Sequence, residues 1–294
     1  MYRICEKEIL APNIIHMRFE APRIAGAARP GQFLILRVDE RGERLPLSLA
    51  GWDTERGTVD VVFYVLGTST MKLASLKEGD CVLNLAGPLG EPTEISHFGE
   101  VICACGCFGI GPTIPLIKAL KDAGNHVVTV VEGRGRSFIF WEDRLRDLSD
   151  ELHIVLGDGS CSEPGWANEF ISRYLAEGKR ADRIFVHGCP FMMMVVSEAS
   201  RPFEVRTVVS LTPLMVDGTG MCGACRVEVG GETRFACVDG PDFDGHLVNW
   251  RTLTNRMRQL VDEEDLSQRL WERRNWHRLV QIQTNGNMNG RCYR

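Results

Sequence analysis

Val101-Ile102-Cys103-Ala104-Cys105-Gly106-Cys107-Phe108-Gly109-Ile110-Gly111-Pro112 opens as an apolar run, breaks into glycines, and leads into Thr113–Ala123. No charge appears from Val101 to Ile117, a 17-residue span. That falls short of the ~18–20 apolar residues a membrane-crossing helix needs. It also contains Gly106, Gly109, Gly111, Pro112 and Pro115. The reading is a buried strand, a glycine-rich turn and a helix start, with Ile114, Ile117 and Leu120 on one helix face. A glycine-rich strand-to-helix turn is what a nucleotide phosphate requires.

Downstream, the rhythm repeats. Val127–Val131, Ile154–Leu156 and Ile184–His187 read as strands. Trp141–Leu148, Trp166–Ala176 and Phe191–Ala199 read as helices. Strands alternating with helices imply parallel βαβ units over residues 99–210. Upstream, Ile15, Met17 and Phe19 alternate with His16 and Arg18, and Gln32–Val38, Val59–Val65 and Cys81–Leu85 are further strands. Turn signals between them (Pro30-Gly31, Arg41-Gly42-Glu43, Gly79-Asp80, Gly87-Pro88) suggest a small antiparallel barrel over residues 1–98. The 294-residue length sets a prior of about two domains. With 44% hydrophobic and 25% charged residues the chain is globular, and a net charge of −5 lends no support to nucleic-acid binding. Eleven cysteines, an odd number, with no signal-peptide pattern at Met1–Leu10, point to a cytoplasmic chain whose thiols bind metal or do redox work.

Asp217-Gly218-Thr219-Gly220-Met221-Cys222-Gly223-Ala224-Cys225, followed by Cys237, has the spacing Asp-x4-Cys-x2-Cys-x11-Cys. Plant-type [2Fe–2S] proteins use Cys-x4-Cys-x2-Cys and a distant fourth cysteine. Here an aspartate stands in the first position, a harder ligand than a thiolate. Zinc also accepts three cysteines and a carboxylate, but zinc ribbons pair two Cys-x2-Cys elements and this chain has one. Cys103, Cys105 and Cys107 read as small buried side chains on one strand face rather than a second metal site, and Met192–Met194 as flexible core filling.

The segment from Thr207 through Cys225-Arg226-Val227, with Phe235-Ala236-Cys237-Val238-Asp239-Gly240-Pro241, closely resembles the small subunit of NADH-dependent reduced ferredoxin:NADP oxidoreductase, or sulfide dehydrogenase. That family is similar to the electron-transfer subunit of dihydroorotate dehydrogenase, within the ferredoxin reductase superfamily. The resemblance implies an α+β multidomain chain: an antiparallel β-barrel FAD domain (1–98), a Rossmann-like α/β NAD(P) domain (99–210), a small [2Fe–2S] subdomain (211–250), and a C-terminal helix and tail (251–294). It implies cluster ligation by Asp217, Cys222, Cys225 and Cys237. The dihydroorotate-type relatives carry four cysteines, so Asp217 favours the first family. Arg44, Pro46, Leu47 and Ser48, set between two expected strands, would meet the flavin, with arginine one place earlier than the usual Arg-x-x-Ser motif. Phe63, Tyr64 and Val65 would border it. The Gly67-Thr68-Ser69-Thr70 loop would take the FAD phosphates.

At the nucleotide turn two of the family's glycines have become Cys105 and Cys107, leaving Gly106, Gly109, Gly111 and Pro112. A Cβ there narrows the approach of a pyrophosphate. Glu132 stands where a ribose-binding acid belongs. Arg134 beside it suits a 2′-phosphate, so NADH and NADPH both stay open. Asp158 resembles a family Asp-Gly-Ser loop, and Gly188, Cys189 and Pro190 match the turn near the nicotinamide. The implied function is electron transfer between NAD(H), FAD and a [2Fe–2S] cluster. The implied partner is a larger flavin and iron–sulfur subunit, with ferredoxin engaged through an electron-bifurcating complex and no catalytic acid–base pair. Rival readings are an electron-transfer subunit of another dehydrogenase, reductase or hydrogenase, a cluster-bearing scaffold without nucleotide binding, and a zinc module. Residues 251–294 hold nine arginines and five acidic residues. A helix is expected over 252–272, and a mobile tail after Trp276.

Overall fold

The computed structural model describes residues 1–275. Strand β1 (Tyr2–Ala11) turns back into β2 (Ile14–Glu20) at Asn13, whose left-handed φ of 61° asparagine tolerates better than other side chains. After the short helix α1 (Pro22–Ala25) come β3 (Phe33–Arg37), β4 (Arg44–Asp53) and β5 (Thr58–Tyr64). Helix α2 (Thr68–Ala74) leads to β6 (Cys81–Val82) and β7 (Asn84–Leu89). The antiparallel order is β6-β1-β2-β5-β4-β3-β7. Since β6 pairs with β1 and β7 with β3, the run Cys81–Leu89 closes the sheet into a barrel. Ile15, Met17 and Phe19 point into it, as their alternation requires.

The second sheet is built from β8 (Glu100–Gly106), β9 (His126–Gly133), β10 (Glu151–Leu156), β11 (Glu163–Pro164), β12 (Arg183–His187) and β13 (Thr207–Ser210). A hairpin, β14 (Arg226–Val229) and β15 (Glu232–Phe235), precedes β16 (Asp242–Asp244). The order is β11-β10-β9-β8-β12-β13-β16, parallel except for β16. Helices α3 (Ile110–Asp122) and α4 (Glu142–Leu148) cover one face, with the barrel's Ala50 and Val62 in the same core. On the other face lie α5 (Ala167–Ala176), α6 (Pro190–Ser200) and α7 (Trp250–Met257). The last helix, α8 (Val261–Arg274), packs Trp271 into the barrel core.

Several expectations are corrected. Arg44–Ser48 is not a connection but the first half of β4. Gly67–Thr70 is not an open loop but the start of α2. The single helix expected over 252–272 is two, α7 and α8, and β1 carries no clear alternation in sequence. Cys103 and Cys105 are fully buried on β8, but Cys107 lies past the strand end, half-buried, at φ 54°. The uncharged run divides between β8 and α3, and among the described residues no helix is long and apolar enough to cross a membrane. The tail after Trp276 lies outside the described residues.

Candidate functional site

The strand order reverses between β8 and β12, and the C-terminal ends of these strands form the crevice where open α/β sheets take ligands. Two expected segments meet there: the turn 106–112 and Gly188-Cys189-Pro190. A Cβ on Gly109 would stand 2.2 Å from the His187 carbonyl oxygen, so only glycine lets the turn lie across the end of β12. Met192 packs beneath, its Sδ 2.6 Å from a Cβ placed on Gly188. Cys189 caps α6, accepting from the Met192 N–H at 3.4 Å, and Pro190 takes the first helical position. Burial pushes the Cys105 thiol up to about 12, which leaves it un-ionised and inert.

Two residues that sequence reading missed hold this turn. Burial pushes His187 down to about 4, so its ring is neutral. Its Nδ1 lies 2.9 Å from the Thr113 hydroxyl, which donates to the Gly109 carbonyl at 2.8 Å. The relay ties turn, helix and strand together. A threonine in the first helical turn and a histidine ending a strand were the only signals.

Glu132 ends β9 beside Gly106 and accepts from the Ala167 N–H at 3.0 Å. Burial pushes its carboxyl up to about 7 against that hydrogen bond. Arg134 is exposed just beyond it. Asp158 shapes its own loop, accepting from the Ser160 N–H at 3.0 Å and hydroxyl at 2.6 Å. Trp166, also missed, lays its indole on Gly157, where a Cβ would come within 2.5 Å of the ring. It is 40% exposed, an aromatic face at the sheet's C-terminal edge.

On the barrel, the ladder between β4 and β5 runs only from Leu49↔Val61 to Asp53↔Thr58. Above it the two strands splay. The half of β4 from Arg44 to Ser48 pairs with β3 alone, which is why Pro46, lacking an N–H, is tolerated there. Leu47, Phe63 and Val65 point into the barrel core, so Pro46, Ser48 and Tyr64 are the half-buried outward residues lining the gap. The gap leads to Gly67–Thr70. Thr70 Oγ1 accepts from the Leu66 and Gly67 N–H groups at 2.9 and 3.1 Å, Ser69 donates to Glu43 at 2.8 Å, and Thr68 meets Ser267 of α8 at 2.9 Å. The hydroxyls therefore shape the turn, and the first-turn N–H groups of α2 are the donors left for an anion. The Ser69–Glu43 bond sets this turn beside exposed Arg44, a guanidinium suited to a diphosphate. A Cβ on Gly67 would meet nothing within 4 Å, so the approach is open. A slot lined by Pro46, Ser48 and Tyr64 and ending in backbone donors and a cation suits a flavin.

The two ends of the slot touch the other two sites. Gly111 packs on the barrel so closely that a Cβ would lie 2.8 Å from Val62 Cβ and 3.1 Å from Ala50 Cβ, bringing the nucleotide turn to β4 and β5. Gly218, at φ 75°, packs on Leu89 and Ile35, and Ile35 is the ladder partner of Pro46.

In the 217–225 loop Gly218, Gly220 and Gly223 all take left-handed φ, which wraps the chain around a centre. Cys225 and Cys237 are buried with their sulfurs 3.2 Å apart. Cys222 is exposed, and its N–H donates to Asp217 Oδ2 at 2.8 Å. Donation from the Thr219 and Cys222 N–H groups holds the Asp217 carboxyl below its usual range, ready as an anionic ligand. Among the described residues no three of these four ligand atoms lie within 4.8 Å of one another. They form two pairs, which suits a two-iron centre better than one tetrahedral zinc. The Gly220 N–H donates to Cys237 Sγ at 3.1 Å, a hydrogen bond of the kind that tunes a cluster.

Residues 212–249 match the iron–sulfur cluster binding domain of dihydroorotate dehydrogenase B. The chain is 40% identical over 264 residues to a dihydroorotate dehydrogenase B (NAD(+)) electron transfer subunit homolog of Thermotoga maritima, covering 90% of this chain and 93% of that protein. Against the electron transfer subunit of Desulforamulus reducens the identity is 30% over 250 residues, covering 82% and 95%. A solved structure of NADH-dependent reduced ferredoxin-NADP oxidoreductase, an enzyme of flavin-based electron bifurcation, superposes with a TM-score of 0.85 at 38% identity, covering 95% of this chain and 98% of that one. Phthalate dioxygenase reductase, at 17% identity and a TM-score of 0.57, shares the fold. Site geometry and comparisons converge: this chain belongs to the dihydroorotate dehydrogenase B electron-transfer subunit family.

Proposed function

We propose that this chain passes electrons between a nicotinamide dinucleotide, FAD and a [2Fe–2S] cluster, and on to or from a larger partner subunit. One observation carries the reading. A single slot between splayed β4 and β5 is met by the nucleotide turn through Gly111 and by the cluster loop through Gly218. A flavin held there supplies the exchange between two-electron and one-electron chemistry. The chain's own residues orient and insulate. Thr113 and His187 fix the turn that presents the nicotinamide. Trp166, Glu132 and Arg134 stand where the adenosine half of the dinucleotide would lie. Asp217 and Cys222 would hold the outer iron, Cys225 and Cys237 the inner one.

The outer pair points to where the partner docks. Cys222 is exposed, and Met221 beside it is 89% exposed, with Leu214, Val216 and Val238 also uncovered. Apolar side chains around an exposed redox centre suit a permanent protein contact. The likeness to ferredoxin-NADP oxidoreductase supports a complex of that type, with ferredoxin served by the partner. The four-part division at 98, 210 and 250 belongs to the same proposal.

The anaerobic visible spectrum of the isolated chain tests it. Flavin and cluster bands are expected, both bleached by NADH or by NADPH, and the preferred donor settles the nucleotide. Bands that neither donor bleaches would refute the nucleotide step. A colourless zinc protein would refute the whole reading.

A further inference from the structure

We propose that Glu6, Glu8 and His16 form a divalent-cation site on the barrel wall, with Asp60 orienting the histidine. The site lies outside the electron path, and nothing in it rests on the electron-transfer reading. Glu8 stands directly opposite His16 in the β1–β2 ladder, and Glu6 shares its face two residues away. One ligand atom from each of the three lies within 4.8 Å of the others.

The histidine provides the independent observation. His16 is 3% exposed. Its Nε2 lies 2.8 Å from Asp60 Oδ1, and its Nδ1 is buried with no hydrogen-bond partner. A ring that gives its Nε2 proton to a carboxylate presents Nδ1 as a bare lone pair. Carboxylate–histidine–metal arrangements use this pattern to fix the tautomer and raise the ligand's basicity. Trp141 closes the site from the α/β side, its ring edge-on to His16 at 5.5 Å between centroids.

The charge points the same way. Three carboxylates, Glu6, Glu8 and Asp60, face this patch. Asp60 Oδ1 meets both the His16 ring and the Arg18 Nε–H at 2.8 Å. Among the described residues Arg18 bridges Asp60 and Glu6, while Arg3, farther along the same face, is turned to Glu20. Arg144 is the next, and it is stacked on Trp141, 4.4 Å from the ring centroid. Three negative charges against one positive leave a surplus that a divalent ion neutralises. One imidazole and two carboxylates suit Mn²⁺ or Zn²⁺, with water completing the shell on the exposed Glu8 side.

The test uses the chain with its flavin and cluster in place, dialysed against chelator and titrated with Mn²⁺ while the EPR signal of free Mn²⁺ is followed. Mn²⁺ avoids thiolates, so the cysteine loop does not compete. One saturable Mn²⁺ per chain is expected, displaced by Zn²⁺. Glu8→Gln and His16→Gln should each weaken it at least tenfold, and Glu177→Gln, at the exposed end of α5, should not. Since Glu8 is exposed, its variant keeps the test alive if His16→Gln fails to fold. Absence of saturable binding, or binding that Glu8→Gln leaves unchanged, overturns the proposal. So does an NMR titration showing His16 doubly protonated at neutral pH, since the ring would then bridge carboxylates itself.

Discussion

Replacing Glu132 by glutamine isolates one carboxyl whose cost the structure sets. Its pKa rises from 4.5 to about 7 because burial disfavours the charge more than the Ala167 N–H favours it. The native state thus holds this proton more tightly than the unfolded chain does. The carboxyl's contribution to stability is full below pH 4.5 and is lost as the pH rises through about 7. The interval corresponds to about 3 kcal/mol for a group fully shielded from water. Glu132 is half-buried, and solvent screening trims this to about 2 kcal/mol at pH 8 and about 1 kcal/mol at pH 5.5. Glutamine keeps an oxygen for the Ala167 N–H and never ionises. Glu132→Gln should therefore unfold higher by about 5 °C at pH 8 and about 2 °C at pH 5.5 in scanning calorimetry. A shift equal at both pH values, or a variant less stable at pH 8, would refute the argument that Glu132 is ionised at a cost in the fold.

Further outcomes follow from the same geometry. Thr113→Val removes the hydroxyl shared by the Gly109 carbonyl and His187, leaves His187 Nδ1 buried without its partner, and should cost about 1–3 kcal/mol in denaturant titration, with weaker dinucleotide binding. Gly111→Val drives a side chain into Val62 and Ala50 and should cost about 1–3 kcal/mol, whereas Gly67→Ala meets open space and should leave the melting temperature within a degree. Cys225→Ala should abolish bound iron by elemental analysis. Asp217→Ala, removing the proposed outer ligand, should lower iron content while the apo fold's circular dichroism stays the same. Gly218→Ala, at φ 75° and 2.8 Å from Leu89, should cost about 1–2 kcal/mol and lower iron content in parallel.

Local pattern made much of this legible. The period-2 run at Ile15–Phe19, the alternation after Val101 and the 217–237 spacing each carry their structure in neighbouring residues. What stayed hidden depends on partners distant in sequence. Arg44–Ser48 lies between two expected strands in sequence, because nothing local says that this stretch is half of β4 with a ladder on one side only. Phe63, Tyr64 and Val65 look like one flavin border in sequence, though strand alternation sends the first and last inward. Thr113, His187 and Trp166 gain their roles from strands that meet only in the folded sheet. The residues of the His16 patch are split among β1, β2 and β5, with 44 positions from His16 to Asp60, and no motif spans that interval.

Strand β3 has one further consequence. Leu34 and Leu36 belong to the barrel interior, while Phe33 and Ile35 on its opposite face share a core with Cys225 and Cys237. The pocket that receives iron is thus walled partly by the outside of a barrel made from the first 89 residues. The cysteine loop therefore has a surface to settle on only where the outer face of β3 is in place. A shortage of iron would then leave a chain with its flavin half finished and its last core open, a form that proteases distinguish from the mature subunit.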